Sequence, residues 1–98
     1  MYKFDKEKMQ QTMDLYLQNE GWKETYENAP SDSCRKFLRL SFYKSQNGEP
    51  NGDEYIEVRD AIYSELGVED WAYLEKSFGN SPFRATCRKK LAELGHNM

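Results

Sequence analysis

The apolar residues of this chain recur at intervals of three and four positions, which is the spacing of one face of an α-helix. Near the start of the chain, Met9, Met13 and Leu17 follow this spacing. Asp5 is a suitable N-cap before them, and Gly21 is a suitable stop after them. Similar apolar stripes between cap and stop residues predict helices at 5–20, 34–44, 52–66, 69–78 and 81–95, with a short helical segment at 22–28.

The stretch 36–59 is compatible with two structures. Leu38, Leu40 and Phe42 alternate with polar neighbours as in a β-strand, and the loop-forming stretch at 45–53 would then connect a β-hairpin. Helices are favoured, because several cap-forming residues precede the stretch and the apolar spacing after the loop stays helical for three turns. The residues that favour helices are Ser31, Asp32 and Ser33 as caps, Asn51 and Glu54 as a capping box, and Tyr55, Val58, Ile62 and Leu66 as the later stripe.

These elements predict an all-α fold, a compact bundle of about five short helices. The 98 residues fit one domain, 1–98, because the chain has no internal repeat and no linker long enough to divide it. The mean hydropathy of −1.00 is low for a folded chain. However, 14% of the residues are aromatic, and such rings supply large contact areas, so we expect a folded core.

The chain has no run of the roughly 20 apolar residues that a membrane helix needs, and its charged first residues do not resemble a signal peptide. We therefore expect a cytoplasmic protein without membrane contact. Its two cysteines, Cys34 and Cys87, are then free thiols. Basic neighbours would favour a reactive thiolate at either position. Cys87 lies on the apolar stripe of its helix, which instead predicts a buried, inert thiol, and the same is expected of Cys34.

The sequence argues against catalysis and against a metal site. The single histidine, His96, lies near the chain end, and no zinc-ligand spacing or Gly-rich phosphate loop is present. The segment 47–58 has Gly52 at the sixth position of an EF-hand loop, but Val58 occupies the twelfth, where calcium binding needs a Glu. We predict no enzyme activity, no cofactor and no metal.

Charge is unevenly distributed along the chain. Residues 49–75 contain nine acidic side chains against Arg59 alone, although the whole chain carries only −3. Carboxylates held on a rigid scaffold can imitate a nucleic-acid backbone and attract a basic protein. This pattern predicts a non-enzymatic binding or regulatory protein that contacts a basic protein partner. The predicted contact residues are Asp53, Glu57, Asp60, Glu69 and Asp70, with Tyr63 and Trp71 as aromatic anchors.

The basic end of the chain supports an alternative function. A turn at Gly79 precedes a basic helix, as in a DNA-binding helix-turn-helix. Glu75, four residues before the glycine, departs from that motif, because a small residue normally stands there. The residues that would contact DNA are Arg84, Arg88, Lys89 and Lys90. A third possibility is that the acidic middle pairs with this basic helix within the fold.

Overall fold

α-Helix is the regular secondary structure of the described part of the chain, with turns between the helices, which confirms the predicted all-α class. A computed structural model describes residues 6–48, 52–79 and 82–95, and the side chains of residues 52–54 are outside that description. The described residues form six helices, against the about five that were predicted. The helices are α1 (Lys6–Leu17), α2 (Glu20–Glu27), α3 (Asp32–Asn47), α4 (Gly52–Glu65), α5 (Val68–Ser77) and α6 (Phe83–Glu93).

The boundary between α1 and α2 differs from the prediction. Gly21 does not stop the first helix; it lies in the first turn of α2. Asn19 is the reason, because its Oδ1 accepts the backbone N–H of Trp22 at 3.1 Å and caps α2. Helix α1 therefore ends at Leu17, three residues earlier than predicted. The predicted N-cap Asp5 lies outside the described residues.

The β-hairpin considered for 36–59 is wrong, since the described residues of that range lie almost entirely in α3 and α4. Ser31 caps α3 by accepting the N–H of Cys34 at 3.1 Å, as the run of cap-forming residues predicted. Helix α3 continues to Asn47, into the predicted loop, and Gly48 ends it with φ +79°, a conformation that favours glycine. The proposed capping box of Asn51 and Glu54 lies outside the described residues and side chains.

The core is built around α3, which packs against both α1 and α4. Phe42 of α3 stacks on Tyr16, with ring centroids 4.3 Å apart, and meets the edge of Trp22 at 5.3 Å. One turn earlier, Phe37 stacks on Phe83 at 5.0 Å. Many of the aromatic residues of the sequence therefore pack in the core, where contacts between rings add to the stabilisation from buried apolar area.

Helices α5 and α6 pack against each other and contribute buried residues to the same core. Trp71 and Leu74 of α5 are buried together with Cys87 and Leu91 of α6. Both cysteines are fully buried and free, as predicted. No helix within 6–48, 52–79 or 82–95 combines the length and the apolar character required to cross a membrane.

Candidate functional site

The carboxylates predicted to form a contact surface are divided between the surface and the interior. Glu57 and Asp60 are exposed on α4, and Glu69 is exposed in the first turn of α5. The backbone of Asp53 lies in α4, but its side chain is outside the described part of the structure. Contact between these exposed carboxylates and a basic partner stays a prediction.

Asp70 and Trp71 do not belong to an exposed contact surface, so the prediction is corrected at these two positions. The side chain of Asp70 accepts the Ser31 hydroxyl at 2.7 Å and the Gly67 N–H at 2.9 Å, and the residue is only 7% exposed. Trp71 is 1% exposed, with its ring 4.9 Å from that of Tyr63. The carboxylate of Asp70 acts as a helix cap, and the indole of Trp71 is part of the core.

Two further acidic side chains of the middle segment, Asp60 and Glu65, are paired within the fold. Asp60 pairs with Arg59 at 3.1 Å. Glu65 lies 3.6 Å from Lys36 and accepts a hydrogen bond from Ser33. The excess negative charge of the segment is thus partly neutralised by residues of α3 and α4 themselves, which reduces the field available to attract a partner.

The basic helix α6 is also partly engaged inside the fold. Arg84 and Arg88 both point to Glu75 of α5, at 3.8 and 3.7 Å. Glu75 is therefore the partner of two residues that were predicted to contact DNA. Lys89 is exposed. Lys90 lies over the ring of Tyr63, 5.6 Å from its centroid, so this helix does not present all four cations outward.

Tyr63 leads to a site that the charge pattern did not predict. It lines an open groove of about 470 Å³ between α3, α4 and α6, which we call the aromatic groove. This volume falls within the range of small ligand sites. The groove is lined by the rings of Phe37, Tyr55, Tyr63, Phe78 and Phe83, by the cations Lys44 and Arg59, and by the hydroxyl-bearing residues Ser41, Ser45 and Thr86.

The cations of the groove are positioned by its tyrosines. Arg59 lies one helical turn before Tyr63 on α4, and its guanidinium is 5.4 Å from the centroid of that ring. Lys44 of α3 reaches over Tyr55, with its Nζ 5.3 Å from the ring centroid. Attraction between a cation and the negative face of an aromatic ring holds both charges at the groove wall. The groove thus combines an apolar lining with two cationic side chains.

Burial also fixes the protonation state of Tyr63. Removal from water raises the pKa of Tyr63 to about 12, against its ordinary 10.0, although Arg59 opposes this change. The hydroxyl of Tyr63 therefore stays protonated and neutral at any physiological pH. Among the described lining residues the charged side chains are Lys44 and Arg59, with the exposed carboxylate of Asp60 beside the latter.

Sequence reasoning had identified only Tyr63 among the residues of this groove as a contact residue. Phe37 and Phe83 lie on apolar stripes, which predict core positions equally well. Their convergence depends on which faces of three helices meet, and no local pattern contains that information. The signal that was available is the Arg59–Tyr63 spacing of four, which places a cation beside an aromatic ring on one helix face.

The described residues offer no cluster typical of a metal site, and the two thiols are buried. Within the three described ranges, no group of three His, Cys, Asp or Glu side chains is placed to hold a metal ion. Burial raises the pKa of the Cys34 and Cys87 thiols to about 12, so neither is a thiolate nucleophile at neutral pH. What the groove provides is shape, apolar surface and a few polar and cationic side chains, which are binding properties.

Comparison with known proteins gives no further assignment: no protein-family model matches the chain, and neither a curated protein nor a solved structure matches it.

Proposed function

We propose that the protein is a non-enzymatic binding protein that recognises another protein, and that the aromatic groove is its recognition site. The observation that carries this proposal is the groove itself, where five rings and two cations line one open depression. Aromatic side chains and arginine are the residues most enriched in the energetically important centre of protein interfaces. The proposed contact surface is thus the face that contains Tyr63, in place of the exposed carboxylates of α4 and α5.

The surroundings of the groove support a protein partner over a small molecule. Ile56, Arg59 and Tyr63 lie at positions i, i+3 and i+7 of α4, so they share one face of that helix. Ile56 is 41% exposed, which leaves a large apolar side chain in water on the face that leads to the groove. A peptide segment is long enough to cover Ile56 and also fill the groove, whereas a compact small ligand covers only one of them.

A peptide-display selection on the purified protein tests the proposal. We expect a random peptide library to enrich sequences that bind the wild type. The groove-filling substitution Thr86→Trp, on α6, should abolish their binding by occupying the depression with an indole. Ala85→Trp is the matched control, because Ala85 is the exposed neighbour on the same helix and does not line the groove.

Circular dichroism should show that both tryptophan variants keep the helical fold. Should Thr86→Trp be unfolded, Ser41→Phe fills the same groove from α3 and replaces it. Failure to enrich any peptide above background would overturn the proposal. So would peptides that bind the groove-filled variant as tightly as the wild type, since their site would then lie elsewhere.

A further inference from the structure

The aromatic groove has cationic side chains in its wall, although the protein as a whole is acidic. The chain carries a net −3, yet Lys44 and Arg59 both line the groove. A cation at a groove wall attracts an anion at short range even on a molecule with a net negative charge. This contrast makes charge a strong determinant of which segment of a partner enters the groove.

Arg59 is the cation best placed to bind such an anion. Its Nη2 and Nε atoms bond to Asp60 Oδ1 at 3.1 and 3.2 Å, but Asp60 is the adjacent residue and is well exposed. Exposed ion pairs of this kind contribute only about 0–1 kcal/mol, so an incoming carboxylate can replace or share the contact. The Arg59 side chain is 34% exposed and is therefore accessible from the groove mouth.

The apolar part of the groove determines which kind of group can enter it beside the anion. Phe37 and Phe83 are stacked on each other, with planes 15° apart, so those two faces are already occupied. Stacking of successive nucleobases needs ring faces that are open. An aliphatic or aromatic side chain, by contrast, needs only an apolar depression of about this size. The lining therefore favours a peptide side chain over a nucleobase.

We infer that the partner segment presents an apolar side chain to the aromatic groove and an adjacent Asp or Glu carboxylate to Arg59. This inference rests on the proposed function, since it names the chemistry of the segment that the groove binds. The carboxylate accepts hydrogen bonds from the guanidinium, a planar donor that suits its two oxygens. The apolar side chain displaces water from the rings of Tyr63 and Phe83.

The peptides enriched by the wild type test this inference. Each is synthesised in its selected form and as a twin in which its Asp or Glu is replaced by Asn or Gln. We expect the twin to bind the wild type about tenfold more weakly, as expected for the loss of one charge-assisted hydrogen bond. Against Arg59→Gln, the selected peptide and its twin should bind equally well. Arg84→Gln is the matched control, because Arg84 pairs with Glu75 outside the groove, and it should preserve the tenfold difference.

The outcomes separate the inference from the proposed function. Peptides that lack acidic residues, or twins that bind as well as their parents, overturn the inference while the groove stays a peptide-binding site. A tenfold difference that persists in Arg59→Gln also overturns it, since the carboxylate would then contact another group. Absence of any groove-dependent peptide overturns the proposed function and the inference together.

Discussion

Ser31 donates a hydrogen bond of 2.7 Å to Asp70, a residue 39 positions later, and this bond joins the N-termini of α3 and α5. The same Ser31 oxygen accepts the N–H of Cys34, and the other Asp70 oxygen accepts the N–H of Gly67. Backbone N–H groups at the start of a helix have no partner within the helix. One pair of side chains therefore satisfies donors in both helices and fixes their relative position.

Replacement of Asp70 should destabilise the protein. Asp70→Ala removes two hydrogen bonds and leaves a partly buried Ser31 hydroxyl and a Gly67 N–H without this acceptor, which costs about 1–3 kcal/mol. Urea unfolding followed by circular dichroism measures the free energy of unfolding. Glu69→Ala is the control, because that exposed neighbour should change stability by only about 0.5 kcal/mol. Equal effects at both positions would show that Asp70 is not a structural cap.

Local patterns predicted the helices well because each has its own apolar stripe, and α2 and α3 also have side-chain caps at their N-termini. The capping role of the segment that contains Ser31 was evident in the sequence. The role of Asp70 was not, because its partner lies 39 residues earlier and a carboxylate is ordinarily a surface group. Trp71 lies at helical spacing with Leu74 and Phe78, and its burial agrees with that apolar stripe. A tryptophan on such a stripe is expected in the core rather than in a surface contact.

The candidate site could be predicted only in part, for a similar physical reason. Tyr63 was identified from its place beside the acidic residues, and it does line the groove. Phe37 and Phe83 come from helices far apart in sequence, so their contact depends on tertiary packing. The number of carboxylates in 49–75 can be read from the sequence. The ion pairs of Asp60 with Arg59 and of Glu65 with Lys36 cannot, because they depend on side-chain geometry.

Arg35 of α3 should stabilise the fold by binding the C-terminal end of α2. Its guanidinium donates to the carbonyl oxygens of Tyr26, Glu27 and Ala29 at 3.3–3.4 Å, at the C-terminus of α2. Helix α2 has no basic residue in its own last turn, so Arg35 supplies the positive charge that this end favours.

We expect Arg35→Met to lower the free energy of unfolding by about 1–3 kcal/mol, because several charge-assisted bonds are lost. Arg35→Lys should recover only part of this loss, since an ammonium group cannot span all three carbonyls. Thermal unfolding compares both variants with Lys23→Met, which removes an exposed charge from α2 itself. A destabilisation no greater than that of Lys23→Met would contradict the capping role.

Alkaline pH should destabilise the fold because its buried thiols and the hydroxyl of Tyr63 resist losing their protons in the folded state. Burial raises the pKa of the Cys34 and Cys87 thiols from 9.0 to about 12, and that of Tyr63 from 10.0 to about 12. The unfolded chain then loses these protons at lower pH than the folded chain. The contribution of these groups to the free energy of unfolding is therefore complete below about pH 9 and decreases as the pH rises toward 12.

Urea unfolding between pH 7 and pH 10.5 measures this fall. Cys87→Ala should be less stable at pH 7, because it leaves a small cavity, but its stability should decrease less steeply with pH. A thiol reagent at pH 8 should modify both cysteines only as fast as the protein opens, since neither is accessible when folded. Identical pH slopes in the variant and the wild type would contradict the raised pKa of Cys87.

Glu75 should limit any affinity of α6 for DNA. Its carboxylate is only 17% exposed and lies within 4 Å of both Arg84 and Arg88, so it competes with phosphate groups for these cations. Glu75→Gln removes the competing charge, and we expect it to increase retention of duplex DNA in a gel shift at low salt, with a steep loss as salt is raised. Adding Arg84→Ala and Arg88→Ala to that variant should remove the gain. Duplex binding that is already strong in the wild type, and unchanged by Glu75→Gln, would show that these arginines are not restrained by the carboxylate and would favour the DNA-binding alternative.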